Sequence, residues 1–487
     1  MTIKNKVSRL IEVLKKNPVG YTENGAFTNL STKDAVVDLF FVAGATRART
    51  EEQILTQVKA AYTVDPNLTL KLLFWARDVL QGAGERRFFQ VAFKGLAQEH
   101  GEALAPLVKL VPEYGRWDDL VTLFNTPLEG QAVAAIRQGL EAKNGLAAKW
   151  LPRQGAEAVK IRKAMGLDEP KAFRRLLVEL SKTVEQQMCA KQWEDVNYNH
   201  VPSIAAKKYR KAFLKHDEAR YKDYILDLAT RPDSGAKVNA KAIFPHDVVK
   251  AVLQENNRTE EVTLLDAQWK SLPDFLTAAN GKSRRILPVC DVSGSMYAAN
   301  LTPRPLEVCI SLGIYVAERN VGIFKDNFVT FSNTPALVEL KGVNIREKVK
   351  NLSTADWAMN TDLNKVFKMI LRQANSYDVP ADEMPEIILI MSDMEFDAAA
   401  GSKTPFEEIQ ADYKKAGYAM PKVVFWNLAA RSKDGNYPVI KTAPHTALIS
   451  GFSPSILRPL LAGDIPSPLG VMLEVLNSER YSRVRLD

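Results

Sequence analysis

The chain has 487 residues, of which 46% are hydrophobic, and it carries a formal net charge of +8 at pH 7. This length predicts more than one domain with sizeable cores. The absence of a long uncharged apolar run excludes a membrane-spanning helix, and the opening residues lack the apolar core of a signal peptide. Three widely separated cysteines without zinc-like spacing predict buried thiols in a reducing compartment, so we expect a cytoplasmic protein.

Residues 1–280 are predicted to form a helical-repeat domain. Apolar residues recur at helical spacing, first over 3–14 and again over 173–184. Sequential helices with short connections are typical of HEAT-like antiparallel arrays, in which neighbours bury each other's apolar faces. No repeat of fixed period supports this interpretation, which rests on the helix pattern alone. Further helices are predicted at 33–44, 51–63, 67–80, 85–99, 102–110, 114–124, 128–142, 157–165, 204–215 and 217–229.

Most of the excess positive charge lies between residues 151 and 250, which contain 20 Lys and Arg against 13 Asp and Glu. Residues 281–487 contain 24 against 23. Concentrated positive charge is typical of nucleic-acid binding, although solvated helix faces are also rich in lysine. The candidate RNA-binding residues lie on predicted helices of this stretch: Lys207, Lys208, Arg210, Lys211, Lys215, Arg220, Arg174 and Arg175.

Two arginines of the helical half have a second interpretation. Arg77 and Arg116 lie beside aromatic and acidic residues. They could line a concave surface, or they could pair with Asp78, Glu85 or Asp118 and connect neighbouring helices. We favour the ion pairs for both arginines.

From 281 to 487 the pattern changes to strands that alternate with helices, after a polar linker near 277–283. This alternation predicts a doubly wound, Rossmann-like α/β domain. The segment 327–340 predicts a hairpin that places an antiparallel strand at one edge of the sheet. Strands are predicted at 285–290, 327–332, 335–340, 386–392, 422–427 and 446–450, and helices near 304–318, 344–352, 362–376, 405–416, 454–462 and 467–477.

Within this domain an apolar strand runs directly into Asp291-Val-Ser293-Gly-Ser295. Thr361 precedes a predicted helix and Asp393 ends another apolar strand, so the three loops can converge at one edge of a parallel sheet. Such oxygen donors suit Mg²⁺ or another divalent cation, which would remain able to accept an anionic oxygen from a partner. The alternative interpretation is an ordinary polar turn after a strand.

The ordered set Asp-x-Ser-x-Ser, Thr, Asp resembles the metal-ion-dependent adhesion site (MIDAS) of von Willebrand factor A (vWA) domains. This resemblance covers the C-terminal third of the chain. It implies that Ser293, Ser295 and Thr361 bind the ion. It also implies that Asp291 and Asp393 bind it directly or through water, and that a ligand carboxylate completes the coordination.

The helical half adds a second resemblance. Followed by a vWA-like domain, it resembles the Ro autoantigen (TROVE) family at 74–78, 82–87 and 114–117. The chain is more similar still to a Ro-like family known as a domain of unknown function, on segments 193–203, 205–213, 244–246, 392–397 and 450–453. The resemblance implies a ring or horseshoe of helical repeats closed by the vWA domain, with small structured RNAs on its basic outer face and misfolded RNA ends in its central hole.

Two functional hypotheses follow. The first is a non-enzymatic, monomeric RNA-binding protein of Ro-like, ribonucleoprotein type, whose vWA domain binds Mg²⁺. The alternative is a metal-dependent adaptor that does not bind RNA: the ion would hold a carboxylate of an acidic protein partner, and the helical half would be a scaffold. A hydrolytic nuclease ranks last, because such a site needs a general base and usually more carboxylates.

Overall fold

The computed structural model describes residues 19–239, 243–254, 259–277, 284–298, 300–331, 335–353, 362–397, 405–433 and 435–486. The predicted opening helix at 3–14 and nearly all of the predicted linker lie outside these ranges. No helix within them is both long enough and apolar enough to cross a bilayer.

The first half of the chain is helical, as predicted, apart from a short hairpin that the sequence pattern does not reveal. Strands of three residues are too short to show an alternating pattern, which explains why the hairpin was missed. Two predicted helices, at 102–110 and 114–124, are mainly 3₁₀ turns. The elements are β1 (Val19–Tyr21), β2 (Phe27–Asn29), α1 (Ala35–Ala43), α2 (Glu51–Val64), α3 (Pro66–Arg77), α4 (Arg86–Leu104), α5 (Val111–Tyr114), α6 (Glu129–Glu141), α7 (Gly145–Trp150), α8 (Ala156–Ala164), α9 (Pro170–Ser181), α10 (Val184–Cys189), α11 (Ser203–His216), α12 (Glu218–Thr230), α13 (Pro245–Gln254) and α14 (Thr259–Lys270).

Side-chain caps fix several helix starts. The Asp34 carboxylate accepts hydrogen bonds from the first free amides of α1. Thr50 and Gln53 cap each other reciprocally at the start of α2. Asp65 caps α3, whose first residue is Pro66. These are the residue types that satisfy the unpaired amides of a first turn, which is why the boundaries could be predicted closely.

Helices that follow each other in the chain pack together. Contacts join α1 to α2, α2 to α3, and α4 to both α2 and α3. One continuous apolar core runs through these helices and into the second half of the chain. A separate, smaller core lies under α11 and α12, where Tyr198, Phe213 and Tyr221 meet. The basic stretch between 151 and 250 is thus partly built on its own small core.

The second half alternates strands and helices as predicted, and each strand lies within a predicted range. The edge hairpin is confirmed, because β5 lies at one edge of the described sheet and pairs antiparallel with β4. Its turn at 332–334 lies outside the described residues. The elements are β3 (Ile286–Cys290), α15 (Pro305–Arg319), β4 (Asn327–Thr330), β5 (Leu337–Glu339), α16 (Ile345–Ser353), α17 (Leu363–Ser376), β6 (Ile387–Ser392), α18 (Pro405–Ala416), β7 (Lys422–Asn427), β8 (Thr446–Ser450), α19 (Leu457–Ala462) and α20 (Pro468–Leu476).

The strand order is β5-β4-β3-β6-β7-β8, and all neighbours except β4 and β5 are parallel. The strands that follow β3 in the chain, β4 and β5, lie on one side of it. The next strands, β6, β7 and β8, lie on the other side. The order therefore reverses between β3 and β6. In open α/β sheets, ligands bind in the crevice that such a reversal leaves outside the carboxyl ends of the strands.

The two halves of the chain are packed into each other. Helix α1 lies on β8, where the Ser450 hydroxyl donates to the Phe40 carbonyl and accepts from the Gly44 amide at 2.8 and 3.0 Å. A Cβ at Gly44 would lie 2.4 Å from Gly451 Cα, so this close backbone approach requires glycine. The C-terminal segment predicted near 467–477 is α20, which contacts β8, α1 and α3. It thus docks on both the helices and the sheet.

His246 lies at this junction and has a pH-dependent effect on stability. Its ring is buried, stacks on Phe244 with centroids 5.5 Å apart, and meets the edge of Phe452 at 5.7 Å. Burial lowers the pKa of His246 to about 4. The nearby Arg47 and Lys250 also lower it, against the opposing effect of Asp247 and Glu307.

The unfolded chain takes up this proton near pH 6.5 and the folded chain only near pH 4, so acid favours unfolding. Between pH 7 and 4.5 the free energy of unfolding of the wild type should fall by about 2.4 kcal/mol more than that of His246→Phe, at ~1.4 kcal/mol per pH unit between the two pKa values. Urea titrations at pH 7 and 4.5 measure this difference. Gln in place of the exposed His200 is the control and should leave the pH dependence as it is. Equal acid sensitivity of wild type and His246→Phe would contradict the assignment.

Candidate metal centre

The structure brings Asp291 and Asp393 together at the reversal of strand order. Asp291 follows β3 and Asp393 follows β6, and the parallel register places Cys290 beside Met391. The Asp291 amide donates to the Met391 carbonyl at 3.0 Å, which continues the ladder to the strand end. Both carboxylates are buried, with exposed fractions of 0% and 2%. Two acidic groups therefore lie beneath the rim of the sheet rather than on its surface.

Serine hydroxyls surround Asp291. Its Oδ2 accepts a 2.5 Å hydrogen bond from Ser392 Oγ, and its Oδ1 accepts the Ser293 amide at 2.9 Å. The hydroxyls of Ser293 and Ser295 lie 3.0 Å apart. The pair predicted to bind a cation is thus held beside the carboxylate. Ser392 was not predicted to take part, although its place as the last residue of β6 opposite Asp291 could have indicated it.

In the described part of the chain, the carboxylate of Asp393 accepts fewer hydrogen bonds than that of Asp291. Its Oδ1 accepts the Glu395 amide at 3.3 Å. Within the described residues its buried Oδ2 has no hydrogen-bond partner, and Arg431 Nη1 lies 3.5 Å away. Burying a carboxylate oxygen without a donor is costly, and a bound cation would offset that cost.

The pKa shifts of Asp291 and Asp393 also favour a bound cation. Burial, together with the charge of Asp393, raises the pKa of Asp291 to about 7. Burial also raises the pKa of Asp393, although the Ser295 hydroxyl and Arg431 act in the opposite direction. Loss of water therefore disfavours both ionised forms, and the charge of Asp393 further disfavours that of Asp291. A divalent cation would stabilise them.

The donor set consists of two carboxylates and serine hydroxyls. No three His, Cys, Asp or Glu side chains of the described ranges form a metal-binding group, so water would have to complete the coordination. Thr361, predicted to contribute a third hydroxyl, lies outside the described residues. Hard oxygen donors in small number, with water, fit Mg²⁺.

The rim of this site includes residues that sequence reasoning did not identify. The β1–β2 hairpin crosses the loop after β6, and the Glu23 amide donates to Glu395 Oε2 at 2.7 Å. Arg431, four residues after β7, reaches Asp393 and Glu23. The acidity of Glu395 next to Asp393 is visible in the sequence. The parts played by Glu23 and Arg431 are not, because they depend on contacts between segments far apart in the chain.

The candidate RNA-binding residues differ in how accessible they are. On α11, Lys208, Lys211 and Lys215 are exposed, whereas Lys207 is half-buried. Arg210 forms an ion pair with the buried Glu261.

Arg220 is exposed but already bound. It donates to the Trp193 and Val196 carbonyls at 2.9 and 2.8 Å and pairs with Asp217 at 3.0 Å. Arg174 and Arg175 are exposed on α9. The exposed cations are therefore fewer than the predicted set.

Arg77 and Arg116 both form ion pairs, as predicted, but only the pair of Arg77 connects two helical segments. Arg77 pairs with Asp119 at 2.7 Å, whereas Arg116 pairs at 2.9 Å with Asp118, two residues further along the chain. The prediction of buried thiols is wrong for Cys189, which is exposed, and holds for the other two cysteines. Cys189 ends a helix that contributes no fully buried residue, so its apolar neighbours in sequence did not imply burial.

Residues 22–154 and 170–281, just over half of the chain, match the family model described as Domain of unknown function (DUF2828). The chain belongs to this family. The expected similarity to a family known as a domain of unknown function is thereby confirmed. Residues 285–469, which contain the candidate metal centre, match a second model, Domain of unknown function (DUF7788).

Two individual proteins resemble the chain over most of its length. An uncharacterized protein of Acanthamoeba polyphaga mimivirus is 28% identical over 515 residues, covering 94% of this chain and 87% of its own. The crystal structure of the Ro (RSR) protein of Deinococcus radiodurans aligns with a TM-score of 0.44 and 12% identity, covering 92% of this chain and all of the other.

Proposed function

We propose that this protein binds one divalent cation, Mg²⁺ by preference, at Asp291 and Asp393, and uses it to recognise an acidic group of a ligand. The observation that carries the proposal is the buried Asp393 Oδ2, which has no hydrogen-bond donor in the described part of the chain. It lies beside a second buried acid, at the one place in the sheet where the strand order reverses.

The donor chemistry supports a cation that keeps open positions. Ser293 and Ser295 would add neutral oxygens to the two carboxylates, and Thr361 would add another in a site of vWA type. Mg²⁺ accepts such ligands together with water. The ion would be positively charged and would keep an open coordination position. An incoming carboxylate or phosphate oxygen could bind the ion there.

We propose recognition rather than catalysis for this site. Metal-assisted hydrolysis needs a base near the ion and usually more carboxylates. Among the described residues, no third acidic, histidine or cysteine side chain joins the two aspartates in a metal-binding group.

Isothermal titration with MgCl₂, after removal of ions with EDTA, tests the proposal directly. We expect one ion per chain and a higher thermal unfolding temperature in Mg²⁺, because a ligand that binds only the folded state stabilises it. Absence of Mg²⁺ and Mn²⁺ binding at millimolar concentration would refute the cation site. If the ion binds, retention of an acidic partner in Mg²⁺ and its loss in EDTA would support recognition of an acidic ligand.

RNA binding is a second candidate function, favoured by the exposed face of α11. Lys208, Lys211 and Lys215 follow each other at helical spacing. None of the three has an acidic partner among the described residues. Three cations on one helix face can contact successive phosphates. A ring or horseshoe of HEAT-like repeats, as the Ro resemblance implies, would add further surface of this kind.

Replacing these three lysines with Gln should weaken binding of a single-stranded RNA oligonucleotide. It should also make the negative slope of log K, where K is the binding constant, against log salt concentration shallower by about two. The reason is that three phosphate contacts, each contributing ~0.7 to the slope, would be lost. Filter binding at several salt concentrations measures both effects. The charge-matched control replaces Lys368, Lys414 and Lys415, which are exposed in the other half of the chain. An unchanged slope in the α11 variant, or an equal change in the control, would contradict this candidate function.

A further inference from the structure

Arg431 lies between the candidate metal centre and an acidic residue of the first hairpin. Its Nη1 is 3.5 Å from Asp393 Oδ2, and its Nη2 is 3.3 Å from Glu23 Oε2. Nη1 also lies 3.5 Å from the Ser295 carbonyl. One guanidinium is therefore shared between the buried carboxylate of Asp393 and the exposed carboxylate of Glu23.

The hairpin is fixed over this site by hydrogen bonds to the loop after β6. The Thr22 hydroxyl donates to the Phe396 carbonyl at 2.6 Å, and the Glu23 amide donates to Glu395 Oε2 at 2.7 Å. The Asn24 amide group donates to the Glu395 carbonyl, also at 2.7 Å. Because these contacts hold the backbone on both sides of Glu23, its side chain is held near Arg431.

Arg431 is placed from the opposite side by the segment after β7. The Leu428 amide donates to the Ser392 carbonyl at 2.9 Å, and the Ala430 amide donates to the Ala45 carbonyl at 3.0 Å. These bonds anchor the segment between the sheet and the helical half. The guanidinium extends from this anchor to the edge of the site.

The oxygen that Arg431 approaches is Asp393 Oδ2, which has no hydrogen-bond donor among the residues that the structure describes. The positive guanidinium of Arg431, 3.5 Å from this oxygen, offsets the charge of Asp393 in the absence of an ion. A divalent cation bound to Asp393 would meet that same positive charge. Glu23 draws the guanidinium outward, away from Asp393.

We propose that Arg431 is a built-in competitor of the cation at the Asp291–Asp393 site, and that Glu23 sets the strength of the competition. This inference rests on the proposed cation site and assigns its regulation. In the ion-free protein, Arg431 neutralises Asp393. When the cation binds, the guanidinium is held by Glu23, so the first hairpin is coupled to the occupancy of the site.

Titration of four proteins with MgCl₂ tests this inference: the wild type, Arg431→Gln, Glu23→Gln and Lys433→Gln. Arg431→Gln should bind the ion about fivefold more tightly, the change expected when a contact of ~1 kcal/mol between opposite charges is removed. Glu23→Gln should bind it about threefold more weakly, because Arg431 is then left to Asp393 alone. Lys433, exposed in the same loop, is the charge-matched control and should stay within about twofold of the wild type.

The possible failures can be told apart. Ion binding by the wild type with equal or weaker binding by Arg431→Gln would overturn the competition and leave the cation site standing. Equal tightening in Arg431→Gln and Lys433→Gln would reduce the effect to net charge and also overturn it. Absence of binding in all four proteins would overturn the cation site and this inference together. Circular dichroism of each variant establishes that it is folded.

Discussion

Replacing Asp291 with asparagine should abolish Mg²⁺ binding without unfolding the protein. The change keeps the shape of the side chain: the new carbonyl can accept the Ser293 amide, and the new amide can donate to Ser392 Oγ. It removes a charge that is fully buried beside Asp393. Burial of a charge without a counterion is costly, so the ion-free variant should be at least as stable as the ion-free wild type.

The expected loss of Mg²⁺ affinity is at least about 100-fold, since even partners that only orient a ligand contribute 10–100-fold. Isothermal titration measures this loss, and thermal unfolding in EDTA measures the stability. Asp382→Asn, an exposed acid of the same half, is the control and should change neither quantity. Unaltered Mg²⁺ binding by Asp291→Asn would show that the ion binds elsewhere.

Replacing Asp119 with alanine should have the largest effect on stability. The Asp119 carboxylate is 1% exposed and accepts four hydrogen bonds. Its donors are Arg77 Nε at 2.7 Å, Gln90 Nε2 at 2.8 Å, the Arg116 amide at 2.9 Å and Arg86 Nε at 3.2 Å. The side chain of Arg77 is itself 3% exposed, so the variant would leave a buried guanidinium without a counterion.

Breaking a buried ion pair from one side typically costs about 3–5 kcal/mol, and we expect a decrease of this size in the free energy of unfolding. Urea denaturation followed by tryptophan fluorescence measures it. The neighbouring Asp118 is the matched control: it pairs with Arg86 and Arg116, both partly exposed, so alanine there should cost about 1 kcal/mol or less.

If Asp119→Ala does not fold, Asp119→Asn keeps an acceptor and should show an intermediate loss. A similar loss in the free energy of unfolding for Asp118→Ala and Asp119→Ala would mean that burial does not decide how much these ion pairs contribute to stability.

Local patterns predicted the strands well and the ion pairs only in part. The apolar run at 386–392 contains β6, and the Asp-x-Ser-x-Ser loop was located from the residues that follow β3. Pairing partners were harder to predict. Asp78 and Glu85 were considered as partners of Arg77, yet Asp78 binds Arg480 at 2.8 Å and Glu85 binds Arg47 at 2.8 Å. A charged side chain can pair with any opposite charge that folding brings near, so sequence proximity is a weak guide.

The sequence alone determined the helical first half, the alternating second half and the two acidic loops, because these depend on periodicity and on residues next to each other in the chain. Only the tertiary structure decided that Asp393 keeps a buried oxygen with no donor in the described ranges, and that Arg431 and Glu23 lie at the rim of the site. Glu23 and Arg431 are about 400 residues apart in the chain. The hairpin that holds Glu23 has strands too short for a periodic signal, and its position depends on hydrogen bonds to the distant loop after β6. Contacts of this kind arise from the packing of the whole chain and leave no local pattern to read.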